Sequence, residues 1–182
     1  MGYEVALTKA WEKVAALGLT KTETKFLADT YSVDLEARKV FSLSCNTAAK
    51  DFTTILILHY LAASLKGLPA LTNEWASFKE LSGIEGYAEA FRQRSILPIL
   101  HKYGRNPSEI LSVLERFPGK RVNEADIGIV VEVFAQVPVM ILLWRSDDEF
   151  GPEASILFDK NINRIFCIED IVVLAGLVAA QL

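Results

Sequence analysis

The side chains able to do chemistry in this chain are few, and each sits in a pattern that limits what the chemistry can be. His59 lies in an apolar run, where an imidazole ordinarily hydrogen-bonds a buried neighbour; facing a cavity, it would be a ligand or a proton donor. His101 follows Pro98 in a basic stretch and is expected to face solvent. Asp147, Asp148 and Glu149 are consecutive, with Asp159 beyond the next apolar run. If that segment folds back, the carboxylates converge to hold a hard cation or to act as general acid and base. Consecutive acids ordinarily make a solvated loop, and the spacing is not that of an EF-hand, so no metal site is assigned. Trp75 and Trp144 offer faces for stacking, Arg92 a guanidinium for an anion, and Phe150 an apolar tip beside charge. Phe78 and Phe91 add aromatic area, most of it expected in the core. Cys45 and Cys167 read as inert core thiols, too few for a disulfide framework or a cysteine-ligated cluster.

The local motifs that build phosphate cradles, zinc sites and nucleophile elbows are all missing: no Walker loop, G-x-G-x-x-G, H-E-x-x-H, C-x-x-C or G-x-S-x-G occurs. What positions the remaining candidates is read from periodicity. Tyr3, Leu7, Ala10, Trp11, Val14 and Leu17 mark one face of a helix ending at Gly18. Tyr31, Val33 and Leu35, then Phe41, Leu43 and Cys45, alternate as a β-hairpin does. A helix apolar on nearly all sides is expected over residues 47–66, closed by Gly67 and Pro69. Two more helices are expected over 87–103 and 107–117, with Pro98 kinking or breaking the first. Strands follow at 127–134, 139–144 and 155–158, with a fourth at 164–167. Glu169 and Asp170 then open a last helix, where their charge suits the positive end of its dipole. Helices and strands come in runs, so the expected fold is α+β: one domain over residues 1–182, with helices packed on an antiparallel or mixed sheet.

Of the 182 residues, 51% are hydrophobic and 23% charged, enough for a sizeable core. The net charge of −4 argues against a nucleic-acid binder that works by neutralising phosphates. Charge is uneven along the chain: residues 91–121 carry a net +5 and residues 124–153 a net −6. Either the two regions neutralise each other within the fold, or the basic one receives an anionic ligand or acidic partner. Mean hydropathy is +0.26. The most apolar runs, 55–65 and 171–182, fall short of the roughly 20 residues that span a bilayer. The first residues lack the basic and apolar regions of a signal peptide, and Ala6 breaks the myristoylation pattern, so a soluble, cytoplasmic protein is expected.

Leu58-His59-Tyr60-Leu61 followed by residues 73–81 (NEWASFKEL) resembles the "HYL … G-E-W-x-S-F-R-E-L" block of the family DUF3786. The same pattern continues in Phe91-Arg92, in 137–144 (VPVMILLW), in Asp148-Glu149-Phe150, in 153–159 (EASILFD) and in Glu169-Asp170. Gly2-Tyr3-Glu4 and Ala10 to Lys13 fit its opening. The chain departs from it at Asn73, where glycine is expected, and at Gly151, where proline or another residue is commoner. The resemblance implies an accessory role in the cofactor or one-carbon metabolism of anaerobic bacteria and archaea. Some members resemble fusions to a cysteine-rich iron–sulfur domain of the kind seen in corrinoid proteins. This chain has too few cysteines for such a cluster, and no cofactor is assigned.

Three readings follow. The first is a non-catalytic module binding a small ligand or an iron–sulfur or corrinoid protein partner through Trp75, Arg92, Trp144, Asp148, Glu149, Phe150 and Asp159. The second is an enzyme using His59, or Asp147, Asp148, Glu149 and Asp159, as acid and base. The third is a structural or oligomerisation domain, for which a homodimer is expected. Nucleic acid and membrane are not expected partners.

Overall fold

The computed structural model describes residues 2–182, leaving Met1 outside. The N-terminal periodicity forms α1 (Gly2–Ala15), which buries Ala10, Trp11 and Val14. A four-stranded antiparallel meander follows, β1 (Lys21–Phe26), β2 (Asp29–Asp34), β3 (Lys39–Ser42) and β4 (Thr47–Ala48), in sequence order. Leu27, in the β1–β2 turn, has φ +53°, a conformation costly for a branched residue. Its side chain is buried and its N–H donates to Val133 O at 2.8 Å, which holds it there and ties this sheet to the second one.

Helix α2 (Asp51–Lys66) is buried along most of its length and packs against α1 and the last helix, α5 (Ile168–Gln181). The second sheet is antiparallel, in the order β5-β9-β8-β7-β6. Its strands are β5 (Trp75–Ser77), β6 (Gly119–Val122), β7 (Ile127–Phe134), β8 (Val137–Trp144) and β9 (Glu153–Asp159). Alternation along β7, β8 and β9 turns Ile129, Val131, Val139, Ile141, Ile156 and Phe158 to one face, in a core shared with α1, α2, α5 and the first sheet. The other face carries a smaller cluster, Val130, Met140 and Leu142, covered by Trp75, Val122, Ala125, Trp144 and Leu157.

The expected α+β class holds, and the sheets are antiparallel. Several elements differ in detail. The α2 helix begins at Asp51, because Thr47 and Ala48 pair with β3 (Ser42↔Thr47). Residues 107–115 form a 3₁₀ helix, Pro107–Glu115, in place of an α-helix. The strand expected at 164–167 is instead a 3₁₀ turn, Ile162–Arg164, running into the cap of α5. Asp159 Oδ1 accepts from the Asn161 N–H at 3.0 Å, turning the chain off the sheet there. Both cysteines are exposed, Cys45 in the β3–β4 turn and Cys167 at the start of α5, and neither is a core thiol. No helix among the described residues is long and apolar enough to cross a membrane.

Candidate functional site

Pro98 shapes the region around Arg92. Lacking an N–H, it cannot complete the α-helical ladder, and its ring crowds the carbonyl four residues back. The chain answers with a wide turn: α3 (Ala88–Phe91) passes into a π-helix, Arg92–Ile96, before α4 (Leu97–Tyr103). The Leu97 N–H bonds Arg92 O, five residues back. Such turns recur at functional sites. Here Arg92 faces a cleft against β9, whereas Arg94 faces a groove between α2 and α5. Ser95, between them, is fully buried, and its hydroxyl has no partner among the described residues.

The opposite wall of the Arg92 cleft is set by Ser77. Its N–H and hydroxyl both donate to Glu80 Oε2 at 2.7 Å, a capping box that turns β5 into the 3₁₀ helix Phe78–Glu80. These bonds hold the Glu80 carboxyl below its ordinary range. Because β5 stops there, it pairs only with Leu157, Phe158 and Asp159, and residues 153–156 of β9 have no strand on that side. A cleft of about 380 Å³ lies in the α2–α5 groove, and one of about 650 Å³ opens at this bare stretch of β9. Phe78 and Phe91, both buried in the core as expected, stack beneath the larger cleft with centroids 4.1 Å apart; Ile96 and Ala88 add apolar surface, and Ser77 and Ser155 add hydroxyls. Arg92 and Lys79 are its exposed cations, and neither is ion-paired among the described residues. Its one acid, Glu89, accepts from Gln93 Nε2 at 2.7 Å.

None of the other sequence candidates lines the Arg92 cleft. Trp75 and Trp144 share the outer sheet face and its apolar cluster, both partly buried. Trp75 is opposite Asp159 and Trp144 opposite Glu153, at the two ends of β9, about 20 Å apart along the strands. One small planar ligand does not reach both. The 147–150 loop joins β8 to β9 and is exposed throughout. The fold-back places Glu153, not Asp159, beside that loop. Asp159 is buried at the far end, where its Oδ2 accepts from Thr72 N (2.9 Å), Thr72 Oγ1 (2.9 Å) and Asn73 N (3.0 Å). It fastens the segment before β5. Among the described residues, no three His, Cys, Asp or Glu side chains converge as a metal site requires.

His59 has a partner the sequence did not reveal. Its Nδ1 lies 2.7 Å from Oδ2 of Asp170, a buried carboxylate that also accepts from Cys167 N at 3.3 Å. Asp170 therefore joins α2 to the start of α5, besides suiting the helix dipole. The neighbouring Cys167, though an exposed residue, has its thiol partly enclosed by protein, and this desolvation pushes it up to about 12, with the Asp170 and Glu169 carboxylates beside it. So protonated a thiol is a poor nucleophile. His59 lines neither the Arg92 cleft nor the α2–α5 groove. Lys79, Ala88 and Ile96 also escaped sequence reasoning. The Ser77-x-x-Glu80 capping box and the position of Pro98 are the signals that point to their cleft.

Fold and cleft together define an α+β domain with a basic-rimmed apolar cleft at an open sheet edge. The chain belongs to the family described as "Domain of unknown function (DUF3786)", which matches residues 14–181. No curated protein and no solved structure matches it.

Proposed function

We propose that this domain is a non-catalytic binding module whose cleft takes an anionic group carried on an apolar, aromatic-sized body. The observation that carries this reading is the cleft's composition: an apolar floor over the buried Phe78–Phe91 stack, beside two cations, Arg92 and Lys79, that have no ion-paired partner among the described residues. An apolar body gains from leaving water against the apolar floor, and a guanidinium supplies directional, charge-assisted bonds to the anion. The carboxylates needed for acid–base chemistry lie elsewhere, and the cleft's own Glu89 is engaged with Gln93. The setting we propose is that of an accessory protein of cytoplasmic anaerobic metabolism, a reading supported only by the family resemblance.

The fluorescent anion 1-anilinonaphthalene-8-sulfonate combines aromatic rings with a sulfonate and serves as the probe. Wild type is expected to bind it with enhanced emission. Arg92→Gln is expected to weaken binding roughly tenfold by removing a charge-assisted bond. Ala88→Trp, at an exposed position on the cleft wall, is expected to block it. If both variants titrate as wild type does, with unchanged urea midpoints, the cleft is not the binding site.

A further inference from the structure

Phe150 is 64% exposed, more than any other large apolar side chain described. Its loop is held tightly. The Asp147 N–H donates to Phe150 O at 3.0 Å, and Asp147 Oδ1 accepts from the N–H groups of Glu149 (2.9 Å) and Phe150 (2.7 Å). Beyond Gly151, Pro152 packs on Gly104 at the end of α4, where a Cβ would stand 3.2 Å from Pro152 Cγ. The turn thus presents an aromatic ring to water with Asp148 and Glu149 beside it. Exposed apolar surface of this kind commonly marks an interaction site.

The complement lies on the same chain. The Arg92 cleft offers an apolar floor, where Ile96 and Ala88 lie over the buried Phe78–Phe91 pair, and two cations for flanking carboxylates. Loop and cleft also adjoin, because the loop runs into Glu153 and the next residues of β9 form the cleft wall. We propose that the 147–150 turn of one copy enters the Arg92 cleft of a second copy, and the reverse, so that two copies close each other's clefts. This rests on the reading of the cleft given above and names its occupant. With knob and socket at one end of β9, both contacts fall near a single two-fold axis, as a self-complementary interface requires. Two such insertions bury less than the roughly 1,600 Å² of a standard stable interface, so the dimer is weak and concentration-dependent. Its charged contacts make it weaker at high salt.

Sedimentation equilibrium over micromolar to near-millimolar protein tests this. The weight-average mass of wild type is expected to rise from 20.2 kDa toward twice that value. Phe150→Ser removes the knob and Ala88→Trp fills the socket; both positions are exposed, so folding is undisturbed, and each variant alone is expected to stay monomeric. An equimolar mixture is expected to associate again, more weakly, because the knob of one variant fits the open socket of the other. A monomeric wild type, variants that associate as strongly as wild type, or a mixture no heavier than its components overturns the proposal. Masses climbing past the dimer overturn the reciprocal arrangement. A monomeric wild type that still binds the sulfonate probe through Arg92 rules out the second copy and leaves the cleft reading standing. Loss of both removes both.

Discussion

Asp159 shows how little a residue's type says about its use. Read in sequence, it is one more acid beyond an acidic run, available to a cation or to catalysis. In the fold it is 5% exposed and saturated with donors from Thr72, Asn73 and Asn161. Asp159→Ala leaves those groups without their acceptor and is expected to cost about 2–4 kcal/mol, read from urea unfolding. Sulfonate binding in the Arg92 cleft is expected to survive in the fraction that remains folded. A loss below about 0.5 kcal/mol would show that water replaces the carboxylate. Asn73 shows the converse, a sequence detail with a clear structural reason. It stands where the resemblance leads one to expect glycine, and its φ of +58° lies in the left-handed region that glycine and asparagine tolerate. Gly151, the other departure, has no positive φ and open space around its Cα, so the loop does not depend on glycine there. Neither backbone angles nor the burial of Asp159 can be read from residue order, because both depend on what the fold brings alongside.

At the scale of elements, legibility follows the strength of the local pattern. Helices α1, α2 and α5 and strands β7, β8 and β9 carry apolar patterns and form where the sequence places them, although α2 starts at Asp51 rather than Thr47 and β9 runs Glu153–Asp159 rather than 155–158. The edge strands β5 and β6 were missed, being three and four residues long with no alternation of their own. β1 was missed as well, since Lys21, Glu23 and Lys25 alternate with threonines that only the finished sheet half-buries. Missing β5 hid the cleft, which exists because that strand ends early. Edge strands are held by close pairing, and two glycines measure how close. A Cβ on Gly119 in β6 would lie 2.2 Å from Val130 O, a backbone atom that cannot step aside. On Gly128 in β7 it would meet the side-chain ends Val122 Cγ2 at 2.7 Å and Leu142 Cδ2 at 2.8 Å. Gly119→Ala is therefore expected to destabilise by about 1–3 kcal/mol, and Gly128→Ala by less than about 1 kcal/mol. Urea midpoints in the reverse order would mean that β6 shifts as a unit to admit the methyl group.

Across the whole molecule, carboxylates with lowered pKa are spread over most parts of the fold. In the first sheet, burial works against Asp29, but bonds from Ser42 and Ser44 outweigh it, and the Ala37 N–H lowers Asp34. Bonds from Ser77 lower Glu80 at the cleft rim, the Phe150 N–H lowers Asp147 in the acidic loop, and the Tyr87 hydroxyl lowers Glu169 on α5. A carboxyl that titrates lower in the folded state stabilises that state above its unfolded pKa, and the benefit disappears as pH falls through the folded value. Their unfolded values are near 3.8 for aspartate and 4.5 for glutamate. The thermal midpoint is thus expected to be level near neutrality and to fall below about pH 4.5. At the alkaline end the sign reverses. Partial desolvation raises Cys167 from 9.0 and Tyr31 from 10.0, each to about 12, so protons are held more tightly by the fold. Stability is then lost progressively from about pH 9 upward as the unfolded chain gives up those protons first. Melting curves across this range should trace a dome, its acid limb shallower in Asp29→Asn and its alkaline limb shallower in Cys167→Ser. An acid limb that rises would show that repulsion among the ionised carboxylates outweighs the hydrogen bonds they accept.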